Sequence, residues 1–276
     1  MAARVQAGGV AQHVEVRVAR AEEEDRRDGR WLPVRPVLRG APRPDYGAAV
    51  LSVIVPLAPD ETEEGPLLEA LRHLPAGSEV IVVRSGGAAR ARPGAWPEGI
   101  AFREVTSGRG RARQMNLGAR EARGEWLWFL HADTRLDARA IAALGAFTGR
   151  GEPALGWFGL RFRDGPALTR VNAAGANLRS AWLGIPFGDQ GFVIRAADFA
   201  RLGGYDEAAP YGEDHLLVWA ARGAGLPLRR VGATLSTSAR KYARKGWGPT
   251  TWLHVRLTAV QAWRAWRAMR RAGRRA

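Results

Sequence analysis

From residue 50 onward, short apolar runs alternate with longer stretches of helical spacing. Val50 to Val55, Glu79 to Val83, Ile100 to Val105 and Trp126 to Leu130 are near-continuous apolar runs of strand length, the pattern of strands covered on both faces. Between them, Pro66 to Leu74 and Arg111 to Arg123 predict helices. Further on, the pattern predicts a helix over Ala138 to Phe147, a strand over Gly156 to Arg163 and a helix over Ala167 to Leu183. A short strand at Phe192 to Arg195 follows, then a helix from Asp214 to Ala224 and a long terminal one from Thr250 to Arg271. Such alternation predicts an α/β fold: a doubly wound, mostly parallel sheet with helices on both faces. Residues 1–48 break the pattern. Val14 to Val18 alternate like a strand, but Pro33, Pro36, Pro42 and Pro44 forbid regular structure, so this extension reads as a small hairpin or a poorly ordered leader. The partition is therefore an extension (1–48), one α/β domain (49–248) and a basic amphipathic helix (249–276).

With 276 residues and 46% hydrophobic content, the chain has enough apolar mass for one large core. Without Cys it has no disulfide frame, and any metal must be held by oxygen or imidazole. No apolar run reaches the roughly 18 residues of a spanning helix, and the acidic stretch Glu22 to Asp25 does not belong to a signal peptide. These features predict a cytoplasmic protein, soluble or peripheral on the inner face of a membrane. The net charge is +15, unevenly spread: 14 of the 42 basic residues follow Asp214, the last acid, so the 28 others face 27 acids. The excess belongs to the C-terminal part.

Four constellations carry candidate chemistry. Phe129-Leu130-His131-Ala132-Asp133-Thr134 puts a carboxylate at the carboxyl end of a buried strand, where open α/β sheets bind ligands and where an acid suits a divalent cation or a sugar hydroxyl. Helix capping is the competing reading for Asp133, Thr134 and Asp137. Gly108 to Gly118 opens a helix with glycines and three arginines, a cradle for phosphate through free amides and guanidinium groups. In Phe187-Gly188-Asp189-Gln190-Gly191 an acid and an amide stand between small residues that admit a ligand close to the backbone. Glu213-Asp214 heads an apolar helix, where acids either cap or serve as a general base.

These pieces, in this order, resemble the family 2 glycosyltransferases of the GT-A fold, and within them the bacterial subset described as radical-SAM/selenodomain-associated transferases. The resemblance spans about residues 50 to 245 and is carried by Ser52-Val53-Ile54-Val55-Pro56, the Gly108 to Asn116 stretch, Phe129 to Thr134, Gly188-Asp189-Gln190, Gly203-Gly204-Tyr205, Glu213-Asp214 and Ser238-Ala239-Arg240-Lys241-Tyr242. It implies an inverting enzyme that moves a sugar from a nucleotide-diphosphate donor to a hydroxyl acceptor. Asp214 would be the base, assisted by Glu213. Asp133 would bind Mg²⁺ or Mn²⁺, with His131 where the family's first metal-site Asp stands. Arg111, Arg113 and Asn116 would line the donor site, and Arg240 and Tyr242 would close over the diphosphate. Asp189 and Gln190 fall to the acceptor.

Two departures mark the chain. Its first strand runs into Pro56-Leu57-Ala58-Pro59-Asp60-Glu61 rather than Pro-Thr-x-Asn-Glu, and its second ends in Val83-Arg84-Ser85-Gly86-Gly87 rather than Asp-Gly-Gly-Ser. An Arg where an acid accepts hydrogen bonds from the nucleobase reverses the local charge, which predicts altered base recognition and permits a binding protein that has lost turnover. A nucleic-acid binder is the other rival, but Trp252, Trp263 and Trp266 fall at helical spacing rather than on a stacking sheet, so no nucleic acid is expected. Leu253, Leu257, Val260, Trp263 and Trp266 share a helical period among arginines without an acid. That pattern predicts a helix on an anionic membrane surface beside a lipid-linked acceptor, or one packed on the domain.

Overall fold

The computed structural model describes residues 51–86, 94–209 and 211–272; the extension predicted over 1–48 lies outside the described residues. Four of the predicted apolar runs form β1 (Leu51–Leu57), β2 (Glu79–Ser85), β3 (Ala101–Ser107) and β4 (Trp126–Phe129), all parallel. The second half of the sheet comprises β5 (Leu155–Phe162), β6 (Phe192–Arg195) and β7 (Leu228–Thr237). Strand β6 pairs antiparallel with β4 and with β5, and β5 is parallel to β7. The order is β3-β2-β1-β4-β6-β5-β7, so one reversed strand joins two parallel blocks and the sheet is mostly parallel, as expected. Nothing in the apolar pattern announces β7. It is an edge strand with Arg229 and Arg230 exposed, and only Val231 and Leu235 among its apolar residues are fully buried.

The helices are α1 (Gly65–Leu71), α2 (Arg111–Glu121), α3 (Ala138–Gly149), α4 (Thr169–Leu178), α5 (Ala196–Arg201), α6 (Glu213–Gly223), α7 (Arg240–Lys245) and α8 (Trp247–Ala272). The single helix expected over Ala167 to Leu183 is α4 continued by a π-turn, Arg179–Leu183. Alternation within the central strands divides the core in two. Val53, Val55 and Leu57 face α1 and α3, while Ile54, Ile81 and Val83 face α2 and α6. Both faces of the sheet are thus covered, as double winding requires.

Helix α2 lies unusually close to the sheet. A Cβ on Gly118 would stand 2.5 Å from Ile54 Cγ2 and 3.0 Å from Val83 Cγ2. One turn earlier, the buried Gln114 amide donates to Leu57 O (2.7 Å) and Val83 O (2.6 Å), meeting carbonyls at the carboxyl ends of β1 and β2. The start of α2 is therefore fixed over the edge where the candidate site lies. Gly118→Ala should push the helix outward and lower stability by about 1–3 kcal/mol, the range of an overpacked core, read as a lower denaturant midpoint with unchanged slope.

Candidate active site

Strand β4 delivers its polar residues at the middle of the carboxyl edge. Leu130 N–H still bonds Ile54 O, and the chain then turns, with Thr134 N–H donating to His131 O. Asp137, not Asp133, caps α3 by accepting from Ala140 N–H at 2.9 Å. Capping therefore does not account for Asp133. Its Oδ2 accepts from Thr237 Oγ1 (3.1 Å) and Ser238 N–H (3.3 Å) at the end of β7, while Oδ1 has no hydrogen-bond partner among the described residues. Asp133 O accepts from Arg163 (2.5 Å), which fixes the turn from the far side.

Asp214, in the first turn of α6, accepts from Gly188 N–H at 2.6 Å through Oδ2 and from His215 N–H at 2.8 Å through Oδ1. Gly188 is closely hemmed in: a Cβ there would lie 3.1 Å from Asp214 Oδ2 and 3.3 Å from His131 Nε2, so a larger residue would press on both. Asp214, Gly188 and His131 therefore converge. Enclosure in the protein pushes His131 down to about 4, the Arg111 charge adding to it while Asp133 and Asp214 oppose, so the imidazole is neutral near pH 7. Asp189 follows Gly188. Its Oδ1 is sealed from water without a hydrogen-bond partner, and burial raises its pKa against the pull of Lys241 and Arg179.

Arg111 reaches across to Glu213, Nε to Oε1 at 2.6 Å. Burial works against its charge, but Glu213 and Asp214 outweigh burial and hold its pKa above the usual Arg range. Arg113 points instead to Glu207 at 3.4 Å. Arg240 is half exposed and bonds Glu63 (2.8 Å) and Glu61 (3.2 Å) of the segment after β1. Two expected contact residues have their polar atoms committed to the protein. Asn116 is buried, donating to Tyr205 O and Glu207 and accepting from Tyr205 N–H, so it clamps the Gly203-Gly204-Tyr205 turn rather than lining an open site. Gln190 is fully buried, accepting from Ser180 Oγ and Phe187 N–H and donating to Phe158 O; it holds the 187–191 loop. The Tyr242 ring is buried edge-on against Phe162, and Asp189 and Arg179 both act on its hydroxyl, so it borders the site from the core side.

Several neighbours carried no signal in the sequence. Arg179, the first residue of the π-turn, lies 3.8 Å over the Phe187 ring and bonds Ile185 O, and its charge acts on both Asp189 and Asp214. Asp164 accepts from Ser238 Oγ and Ala239 N–H, so the segment that holds Asp133 is itself held. The spacing of β5 gave no hint of this. Lys241, quoted in a motif but given no role, acts on His131 and Asp189.

No three His, Asp or Glu side chains among the described residues converge as a cation cage. His131 and Asp133 nevertheless fit a divalent cation that takes its remaining ligands from a diphosphate: the imidazole is neutral and one carboxylate oxygen is unpartnered.

Residues 52–193, just over half of the chain, match the family model described as "Glycosyl transferase family 2", and the chain belongs to that family. Its fold is the GT-A fold of solved glycosyltransferases. S. aureus TarS superposes with a TM-score of 0.52 at 16% identity, over 68% of this chain and 36% of TarS; its 1–349 fragment gives 0.53 at 16%, over 68% and 60%. The mannosyltransferase PcManGT from Pyrobaculum calidifontis, solved with GDP-Man and Mn²⁺, gives 0.50 at 23%, over 72% and 59%. The chain thus spans about a third to three-fifths of the length of these neighbours. No curated relative matches it.

Arg84, the departure at the end of β2, is a buried structural cation. Its Nε bonds Glu104 Oε1 at 2.8 Å, and its Nη2 lies 3.9 Å from Glu64 Oε1. Charge reversal at the strand end is thus balanced within the fold. Arg84→Asp would set an acid beside two others instead of creating a nucleobase acceptor. We expect it to lower stability by about 3–5 kcal/mol, the cost of breaking a buried pair, measured by denaturant unfolding.

Proposed function

We propose that this chain is an inverting glycosyltransferase that moves a sugar from a nucleoside-diphosphate donor to a hydroxyl acceptor, with Asp214 as the base. The observation that carries the reading is the convergence of Asp214, Gly188 and His131 at one carboxyl edge, with Asp189 beside them. In an open α/β sheet that edge is the ligand crevice.

Asp214 keeps lone pairs beyond those given to Gly188 and His215, so it can take the acceptor proton while the two amides fix its orientation. The acceptor oxygen forms a bond to the anomeric carbon, the bond from that carbon to the diphosphate breaks, and the diphosphate carries away the electron pair. One displacement inverts the centre. Asp189, next to Gly188 and so beside the base, is the acid assigned to a neighbouring acceptor hydroxyl. Glu213 holds Arg111 in place beside the base.

Asp133 and His131 would hold Mg²⁺ or Mn²⁺, which when bound neutralises charge on the departing diphosphate. Support comes from PcManGT, solved with GDP-Man and Mn²⁺. With only two protein ligands, affinity for the cation should depend on the nucleotide. Arg240 lies on Glu61 and Glu63, and a diphosphate is the anion able to draw it away.

Asp214→Asn should lower transfer about 10²–10⁴-fold while sparing donor binding, the range for loss of a general base. Near wild-type transfer in a steady-state assay would place the base elsewhere. Mn²⁺ alone should leave the melting temperature unchanged, whereas Mn²⁺ with a nucleoside diphosphate should raise it, and Asp133→Asn should remove that rise. A rise that persists in Asp133→Asn would end the metal assignment.

A further inference from the structure

Helices α4 and α8 carry large apolar side chains on their outward sides and several polar ones against the protein. In α8, Thr250 is buried, His254 and Thr258 are half-buried, and Gln261 reaches Tyr211 O, so a polar row faces the protein, with Leu257 and Val260 beside it. Outward stand Trp252 (68% exposed), Leu253, Val255, Trp263 and Trp266. The membrane-facing stripe expected from sequence is thus only partly the observed one, since Leu257 and Val260 are half-buried. Helix α4 repeats the inversion. Its inward Asn177 exchanges hydrogen bonds with the backbone of Leu160, and Ser180 bonds Gln190, whereas Leu168, Val171, Leu178, Leu183 and Trp182, at 83% exposed, face out. Soluble surface helices show the opposite polarity.

The two outward faces adjoin. Asn172 of α4 donates to Thr251 Oγ1 (3.0 Å) and accepts from Trp247 Nε1 (2.5 Å), and exposed Val171 and Trp252 flank that contact in sequence. We propose that the outward faces of α4, its π-turn and α8 form one docking surface for an anionic lipid bilayer.

Charge selects this occupant. Arg170, Arg244, Lys245 and Arg256 are exposed and have no acid partner among the described residues, and no acid follows Asp214 in the chain. Tryptophan and leucine among unpaired cations, without an acid, match the interfacial helix that inserts shallowly beneath anionic headgroups. A second copy of the chain fits poorly, because two-fold pairing would set arginine against arginine. No described helix is long and apolar enough to cross the membrane, so the contact is peripheral. The π-turn that carries Trp182 outward holds Phe187 and Gln190 on its inner side through Arg179 and Ser180. Docking would therefore set the sheet edge that carries Asp189 and Asp214 beside the bilayer; that this edge is a transfer site rests on the glycosyl-transfer reading.

The test uses the full chain and sedimentation with vesicles of phosphatidylcholine, with and without phosphatidylglycerol. The protein should pellet with the anionic vesicles, far less with the neutral ones, and be released by raised salt. Trp182→Ser and Trp252→Ser should each lower partitioning about tenfold, as loss of one buried aromatic implies, with unchanged circular dichroism and unchanged donor hydrolysis in solution. Absence of pelleting with anionic vesicles, or undiminished pelleting of the double variant, overturns the proposal. A dimer that the same variants dissociate, without vesicle binding, makes the face a self-interface and overturns it as well. Donor hydrolysis separates the two readings: its absence in the wild type counts against glycosyl transfer and leaves the vesicle result standing.

Discussion

The hydrogen bond from Gly188 N–H to Asp214 Oδ2 joins segments that the sheet alone would not hold together. Gly188 belongs to the loop that enters the reversed strand β6, and Asp214 to the head of α6. Their contact is tight enough that any side chain at 188 would press on the Asp214 carboxylate, which is positioned from two directions at once. Everything else near the edge serves that meeting. Gln190 and Ser180 fix the loop from below, Arg111 and Glu213 brace the helix start, and His131 closes the third side.

Buried polar clamps do much of this positioning, and each joins residues far apart in sequence. Asn116 ties α2 to the Tyr205 backbone, Glu79 collects Ser52, Arg103 and the Arg123 amide at the opposite end of the strands, and Asp133 is held by the end of β7. A buried polar group left without its partner costs about 1–3 kcal/mol, so these clamps select one register of helix over strand more sharply than apolar contact does. The site is rigid where it must aim a carboxylate. It is softer where the exposed Arg240 rests on half-buried Glu61 and Glu63.

The central strands were legible because burial on both faces leaves a run of apolar residues that few other structures produce. Edge position hid β7, where two exposed arginines replace that signal, and six residues apiece left α5 and α7 too short for a period to show. At the site, the sequence located the carboxylates but not the purpose of the amides. Asn116 and Gln190 have the chemistry of ligand contacts, yet their partners are protein groups up to 91 residues distant, which no local pattern records. The choice between Asp133 and Asp137 as helix cap turned on a single backbone amide, that of Ala140. Arg179 gave no signal because its role arises from a π-turn, which displaces a side chain without altering the apolar count.

Gln114 illustrates a constraint that mimics catalysis. Its one amide nitrogen supplies both protons to the carbonyls that end β1 and β2, so a leucine there would strand two buried acceptors and a glutamate would meet them with negative charge. Only a side chain with two donors on a single atom, at that reach, satisfies the position. Among homologues such a residue would be preserved as strictly as a reacting group. Invariance at this helix would then report the joining of two strands, and an evolutionary reading of the cleft would need to subtract it before counting which residues touch substrate.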